Sequence, residues 1–330
     1  MIIRILLFFF FFHTCSIALA QLGCAGINLG QDTTIDCSQQ CITLKSSVLD
    51  VGLTSNYNIT SIPFNPPFSF NQGSPIFVNQ DDYFSPAIQL PFVFCFYGNN
   101  YSQIVVGANG LISFDISLAN AFCEWNFSQS MPNINGEPYR NSINGPYHDL
   151  DPSVGGNVRY GVLGTYPCRT FVVNFDDVPH YDCNNLRTTF QIVLYETTNI
   201  IEIYVLDKPV CNSWNSGNAV LGIQNSSGTI AHVPNNRNTS NWSTSNEAWQ
   251  FIPSGGSSIN SVQWFDSSGT YISSGDTIVV CPTDSTHYSA TVTYNSCSGN
   301  LVVESDTINI NVLNSGGQNV NINLGDTSIC

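Results

Sequence analysis

The chain has 330 residues, with 23 acidic against 8 basic side chains, a formal net charge of −15 and only 9% charged residues. A surface this negative repels phosphate backbones, which excludes nucleic acid as a partner class. Its polarity comes from Asn, Ser, Thr and Gly rather than from ions, which suits an exported β-protein.

The chain opens on a targeting segment. Met1-Ile2-Ile3-Arg4 supplies a positive start, Ile5 to Phe12 a short apolar block, and Ala18-Leu19-Ala20 a small-residue cleavage site. Residues 1–20 therefore read as a secretory signal peptide. The apolar block falls short of the roughly 20 residues a membrane helix needs, and no later segment is longer and as apolar. Of the 12 cysteines, Cys15 leaves with this peptide, and the odd remainder is expected to form disulfides in an oxidising compartment. Local pairing is expected: Cys95 with Cys123, Cys281 with Cys297, and Cys183 with Cys211 or Cys168. Cys37 and Cys41 have zinc-like spacing, but export again favours disulfides.

Helical periodicity is nearly absent. Phe92-Val93-Phe94-Cys95-Phe96-Tyr97 is apolar on both alternating faces, as a strand covered on two sides must be. Ile104-Val105-Val106 follows, then Asn109-Gly110 before Leu111-Ile112-Ser113-Phe114. Asn-Gly between β-rich runs predicts a tight type I′ hairpin, because both central residues need positive φ. Arg169 to Phe175 and Thr189 to Tyr195 are further strands, and the latter turns through Glu196-Thr197-Thr198-Asn199 into Ile200 to Val205. Ala219 to Ile223 is another. The pattern predicts an all-β, antiparallel β-sandwich domain over residues 21–253, carrying an N-terminal Cys-containing segment.

A boundary is expected near Pro253-Ser254-Gly255-Gly256. Beyond it, Val262-Gln263-Trp264-Phe265, Thr277 to Cys281, Tyr288 to Tyr294 and Thr307 to Val312 alternate as short strands around one Trp. Residues 254–313 thus read as a small immunoglobulin-like sandwich. Residues 314–330 read as a linker and the start of a further repeat. Ile27 to Cys37 recurs in Ile322 to Cys330, which predicts the front of a tandem array and a downstream partner for Cys330.

Two family resemblances rest on these residues. Phe94-Cys95-Phe96-Tyr97-Gly98, followed by Asn109-Gly110-Leu111-Ile112-Ser113-Phe114, resembles the NIDO domain of nidogen- and tectorin-type extracellular proteins. The likeness continues through Asn144 to Asp151, Gly156 to Tyr160, Phe171 to Pro179, Thr189 to Leu194 and Ala219 to Ile223. The Leu-Gly-x-Asp-Thr openings, with the small Ig-like or PKD-like unit, resemble the modular surface proteins of gliding Bacteroidota-type bacteria. That resemblance implies display or release by a type IX secretion system.

Asp149 and Asp151 flank Leu150, so on a strand they would share one face. With Asp177 they form a candidate Ca²⁺ site. Ca²⁺ takes about six or more oxygens, so the competing reading, carboxylates capping turns at Pro152-Ser153 and Gly155-Gly156, takes precedence. The same pair could serve as glycosidase acids. Trp125 and Trp242 lie in polar, Asn- and Ser-rich surroundings and are candidates to stack on sugar, against the alternative that they anchor loops to the core. No nucleophile elbow, metalloprotease helix or phosphate loop occurs. The sequence therefore predicts a secreted or cell-surface adhesion module, non-catalytic and without a cofactor other than the candidate Ca²⁺. Its expected partner is an extracellular glycan or protein. The alternative is a carbohydrate-binding or glycan-hydrolysing domain using Asp149, Asp151 and exposed aromatics.

Overall fold

The computed structural model describes residues 23–36, 39–76, 80–136 and 138–313. The signal-peptide segment, Cys37, Cys330 and the second copy of the repeat lie outside these residues. The fold is all-β and forms two packed units.

The larger unit is a sandwich of two seven-stranded antiparallel sheets. One runs Ala231–His232, Asn218–Gln224, Ser142–Tyr147, Leu111–Ser113, Asn99–Gly107, Ile88–Phe96, with Ser240–Asn241 also paired to Asn218–Gln224. The other runs Leu53–Ser61, Thr244–Gly255, Ile201–Lys208, Arg187–Tyr195, Thr170–Pro179, Asn157–Leu163, Ser74–Pro75. Between them lies a core of fully buried Phe94, Phe96, Ile112, Phe171, Phe175, Phe190 and Ile203. In the run at Phe92, Phe92, Phe94 and Phe96 face the core and Cys95 is buried on the other face, but Val93 is exposed, so the strand is covered on both faces only toward its end.

The smaller unit departs from the expected order. Its five-stranded sheet runs Thr33–Asp36, Leu301–Leu313, Thr286–Asn295, Asn260–Phe265, Tyr271–Ser274, and Thr277–Val280 pairs with Ile42–Lys45 opposite. Thr33–Asp36 lies parallel to Leu301–Leu313, with Thr33 opposite Ile310. The N-terminal segment assigned from sequence to the large domain therefore supplies strands to the small one. The large sandwich is an insertion between Ile42–Lys45 and Asn260–Phe265.

The recurring Leu-Gly-x-Asp-Thr motif has a local reason here. Asp32 accepts from both the backbone N–H and the side-chain amide of Asn309 at 2.9 Å, and the N–H of Leu29 donates to Asp306 at 2.8 Å. These bonds dock the first strands onto the last one.

The two units share a core. Trp264, Val262, Val292 and Ile310 of the small sandwich are buried with Val172, Val193 and Tyr204, which lie on the outer face of the large sheet. This accounts for a central sheet whose strands are apolar on both faces. Covalent links reinforce the contact: Cys24–Cys168 and Cys95–Cys297 cross between the units, Cys41–Cys281 staples the smaller and Cys183–Cys211 the larger.

The pairings Cys95–Cys123 and Cys281–Cys297 are thus corrected. Val280 pairs with Ile42 in antiparallel register, which brings the adjoining Cys281 and Cys41 together. Among the described residues Cys123 is a buried free thiol packed with Phe84, Val105 and Leu111, while Cys95 is bonded to Cys297. The Asn109-Gly110 turn is also not type I′. Only Gly110 has positive φ, at 99°, and a Cβ there would lie 2.8 Å from the Pro146 carbonyl oxygen.

Candidate functional site

Asn109 is fully buried and organises one end of the large sandwich. Its amide nitrogen donates to Asp82 at 2.8 Å and to the Cys123 carbonyl at 3.0 Å, while its Oδ1 accepts the N–H of Leu150 at 2.9 Å. The backbone N–H of His148 donates to its carbonyl. One turn residue therefore fixes the loop at 81–84 and the segment 148–151 side by side. The Cys183–Cys211 disulfide then holds the loop carrying Tyr181 against the loop carrying Trp214.

Three aromatic side chains meet at this end. Trp214 packs on Trp125 with ring centroids 5.2 Å apart and on Tyr181 at 4.8 Å. Tyr181 is exposed, and both Trp rings are half-buried. The Trp214 indole N–H donates to Asp149 Oδ2 at 2.6 Å, whereas Asp149 Oδ1 is buried without a partner among the described residues.

Burial, more than the neighbouring Asp82, Asp81 and Asp151 charges, pushes the Asp149 carboxyl up to about 7, against the bond from Trp214. Burial and the charges of Asp82 and Asp151 likewise push Asp81 up to about 7, and burial raises Asp82. The loop end is thus a partly desolvated carboxylate group beside a half-exposed aromatic pile.

Asp151 is buried and caps the following turn, accepting from the Ser153 N–H at 2.9 Å and from the Ser153 hydroxyl. It lies past the end of the strand Ser142–Tyr147, where Leu150, between Asp149 and Asp151, makes an isolated antiparallel bridge to His180. Asp177 is apart from the group. It sits at a β-bulge with φ 54°, its side chain 65% exposed and paired with Arg187 at 3.0 Å. Among the described residues, no group of three or more His, Cys, Asp and Glu is placed to hold a metal ion. The set Asp149, Asp151 and Asp177 is therefore corrected as a Ca²⁺ site.

Trp242 is corrected as a sugar-stacking residue. It is 7% exposed, its indole N–H donates to the Ala219 carbonyl at 3.0 Å, and its ring is sandwiched by Lys208 at 4.6 Å and Arg237 at 4.8 Å.

Beneath the loops lies a second cluster that dispersed histidines did not announce. The His148 and His180 rings are 4.3 Å apart, and both Nε2 atoms contact the Thr188 hydroxyl, at 3.2 and 2.7 Å. Both line a cavity of about 20 Å³ with Asp149, Lys208 and Trp214, enough for one water. Lys208 is fully buried, donates to the Trp242 carbonyl at 2.7 Å, and is pushed down to about 7 by burial and by Arg237.

Burial, with the Lys208 charge nearby, holds His180 down to about 3. Burial, then His180 and Lys208, hold His148 well below 6.5. At these two rings the folded protein therefore binds fewer protons than the unfolded chain below the ordinary imidazole value. The stability these rings contribute is complete above pH 6.5 and is lost as the pH falls from there toward about 3. The raised carboxyls of Asp149 and Asp81 act oppositely, weakening the fold as the pH rises from 3.8 to about 7. Replacing both rings, His148→Gln with His180→Gln, is expected to flatten the acid limb of stability by up to about 1.4 kcal/mol per pH unit for each imidazole. Urea midpoints taken from pH 7 down to pH 4 measure this. Equal slopes in parent and variant would mean that the rings titrate normally.

Comparison with known protein families matches residues 56–262 to the family described as NIDO related, more than half of the chain. The chain belongs to the NIDO-related family. The match nearly coincides with the inserted sandwich, which begins at Leu53 and ends at Gly255. No curated protein and no solved structure matches the chain. Within the NIDO-related domain, Asp149 and Trp125, named from the sequence for separate reasons, are linked at the loop end through Trp214. Asp81, Asp82, Tyr181, Thr188 and Lys208 join them only through the fold. Among the described residues, no helix is long and apolar enough to cross a membrane.

Proposed function

We propose that this NIDO-related chain is an exported, non-catalytic surface-interaction module that binds an extracellular ligand through the loop end bearing Trp125, Trp214, Tyr181 and Asp149. In this reading the small unit is an Ig-like or PKD-like sandwich of the kind found in surface proteins of gliding bacteria, and type IX secretion displays or releases the chain. The observation that carries the proposal is the half-exposed aromatic pile whose central indole is hydrogen-bonded to a carboxyl with an unpartnered oxygen. A buried acceptor left without a partner is costly in a free protein, and stacked Trp and Tyr are the side chains most often found at binding hot spots.

Four disulfides among the described residues support an oxidising location. Two of them fix the NIDO-related domain onto its neighbour, so loops at its end would be presented from a rigid support. The test is an array of immobilised extracellular glycans and matrix proteins probed with the labelled, oxidised chain. Saturable binding that Trp125→Ala weakens about tenfold, a typical cost for a hot-spot truncation, is the expected result. Binding that is indifferent to Trp125→Ala would remove the loop end from the account.

A further inference from the structure

Where the two units meet, a groove of about 950 Å³ opens beside the Cys95–Cys297 disulfide, with Cys297 in its wall. Its size is that of a ligand site. None of the residues lining it is Asp, Glu, Lys, Arg or His, in a chain with 23 acidic side chains. The lining is built from hydroxyls and amides, three glycines, and a few apolar side chains.

Several of those polar groups are unspent. Among the described residues, the side chains of Ser55, Ser257, Ser261, Thr293 and Asn295 make no hydrogen bond within the protein, and Leu53 and Leu301 stand 53% and 64% exposed beside them. Backbone donors along the same walls are, by contrast, consumed. The N–H of Gly98 donates to Thr54 Oγ1 at 3.1 Å, that of Ile259 to Val51 at 2.9 Å, and that of Asn295 to Ile259 at 2.9 Å. An extended peptide adding itself by main-chain bonds finds little to pair with. A ligand offering many neutral hydroxyls finds partners all along the groove.

The groove also continues onto a flat surface. Ser261 lies opposite Thr293, and Gln263 opposite Thr291, which in turn faces Ser305. The alternate residues Val262, Trp264 and Val292 point into the core, so these polar side chains share the outer face of the five-stranded sheet. Both walls are held by the disulfide and the backbone bonds above, so little ordering is required on binding.

We infer that this groove binds a neutral polysaccharide, with hydroxyls bonded to the Ser, Thr and Asn side chains and the apolar sugar faces against Leu53 and Leu301. The inference rests on the surface-interaction reading but uses a different site from the loop end. Affinity electrophoresis of the whole oxidised protein tests it, in gels containing dextran, laminarin or glucomannan as neutral polymers and alginate as an anionic one. Retardation by at least one neutral polymer and not by alginate is expected. Thr293→Arg and Ser261→Arg, both at outward-facing positions, should each reduce that retardation by about tenfold in apparent affinity, a typical interface cost, with unchanged thermal unfolding. Trp214→Ala should leave it intact.

Several outcomes would overturn the inference: no retardation by any neutral polymer, equal retardation by alginate, or retardation that survives both arginine variants. Loss in Trp214→Ala alone would transfer sugar binding to the loop end and overturn the groove site. Absence of all polysaccharide binding, with array binding to proteins retained, would reject the groove while leaving the surface-interaction reading standing.

Discussion

Trp264→Ala is expected to cost about 3–5 kcal/mol, the usual range for emptying a large aromatic from a core. Trp264 is fully buried in the small sandwich, and its indole N–H donates to the Gly275 carbonyl at 2.9 Å. It belongs to a core that runs without a break into Val172, Val193 and Tyr204 of the NIDO-related domain. The cavity would therefore open at the seam of the two units. Because the small unit takes strands from both ends of the chain, loosening it also releases the ends of the insertion. A parent protein melting in one transition, and a variant whose transition is lowered or split, is the expected calorimetric outcome. Two independent transitions in the parent, with only one moved by Trp264→Ala, would mean that the shared core does not couple the units.

Trp214→Ala is expected to have the largest effect on binding, about tenfold or more, in line with truncation of a central aromatic. The substitution removes the ring on which Trp125 and Tyr181 both pack, at 5.2 and 4.8 Å. It also removes the N–H that Asp149 Oδ2 accepts at 2.6 Å, leaving both carboxyl oxygens unpaired. That second loss is expected to lower stability by about 1–3 kcal/mol, the penalty for a buried polar group without a partner. Trp214→Phe separates the two effects, since it keeps an aromatic face and removes only the donor. Binding retained in Trp214→Phe and lost in Trp214→Ala would assign recognition to stacking, whereas equal loss in both would assign it to the oriented Asp149 carboxyl.

The sequence and the fold agree where local pattern decides structure. The runs at Phe171 and Phe190 are apolar on both faces because each strand is covered twice, a signature visible in any short window, whereas the run at Phe92 leaves Val93 exposed. The turn at Glu196 to Asn199 was equally legible, with Thr197 and Asn199 taking positive φ.

What local pattern misses is long-range pairing. Nothing in Thr33-Thr34-Ile35-Asp36 announces that it will lie beside Ile310 to Leu313. The insertion was hidden for that reason, and so were the disulfides, since Cys41 meets Cys281 across 240 residues and Cys95 meets Cys297 across 202.

The candidate site divides along the same line. Asp149 and Asp151 were conspicuous as a pair, yet Asp151 spends its carboxylate on Ser153. Asp81, Thr188 and Lys208 reach Asp149 only through turns and neighbouring strands. Trp242, conspicuous among polar neighbours, is held between Lys208 and Arg237 because Trp buries well and those cations stack on it.

Attachment at a surface through the loop end of the NIDO-related domain is the proposed function. Beads coated with the oxidised chain, compared under flow with beads coated with Trp214→Ala, test it most directly on lawns of cells and on glycan- and protein-coated glass. Retention of the parent beads on at least one of these surfaces, abolished or strongly reduced for Trp214→Ala that remains folded at the assay temperature, is the predicted result. Parent beads retained no better than the variant on every surface would contradict the account.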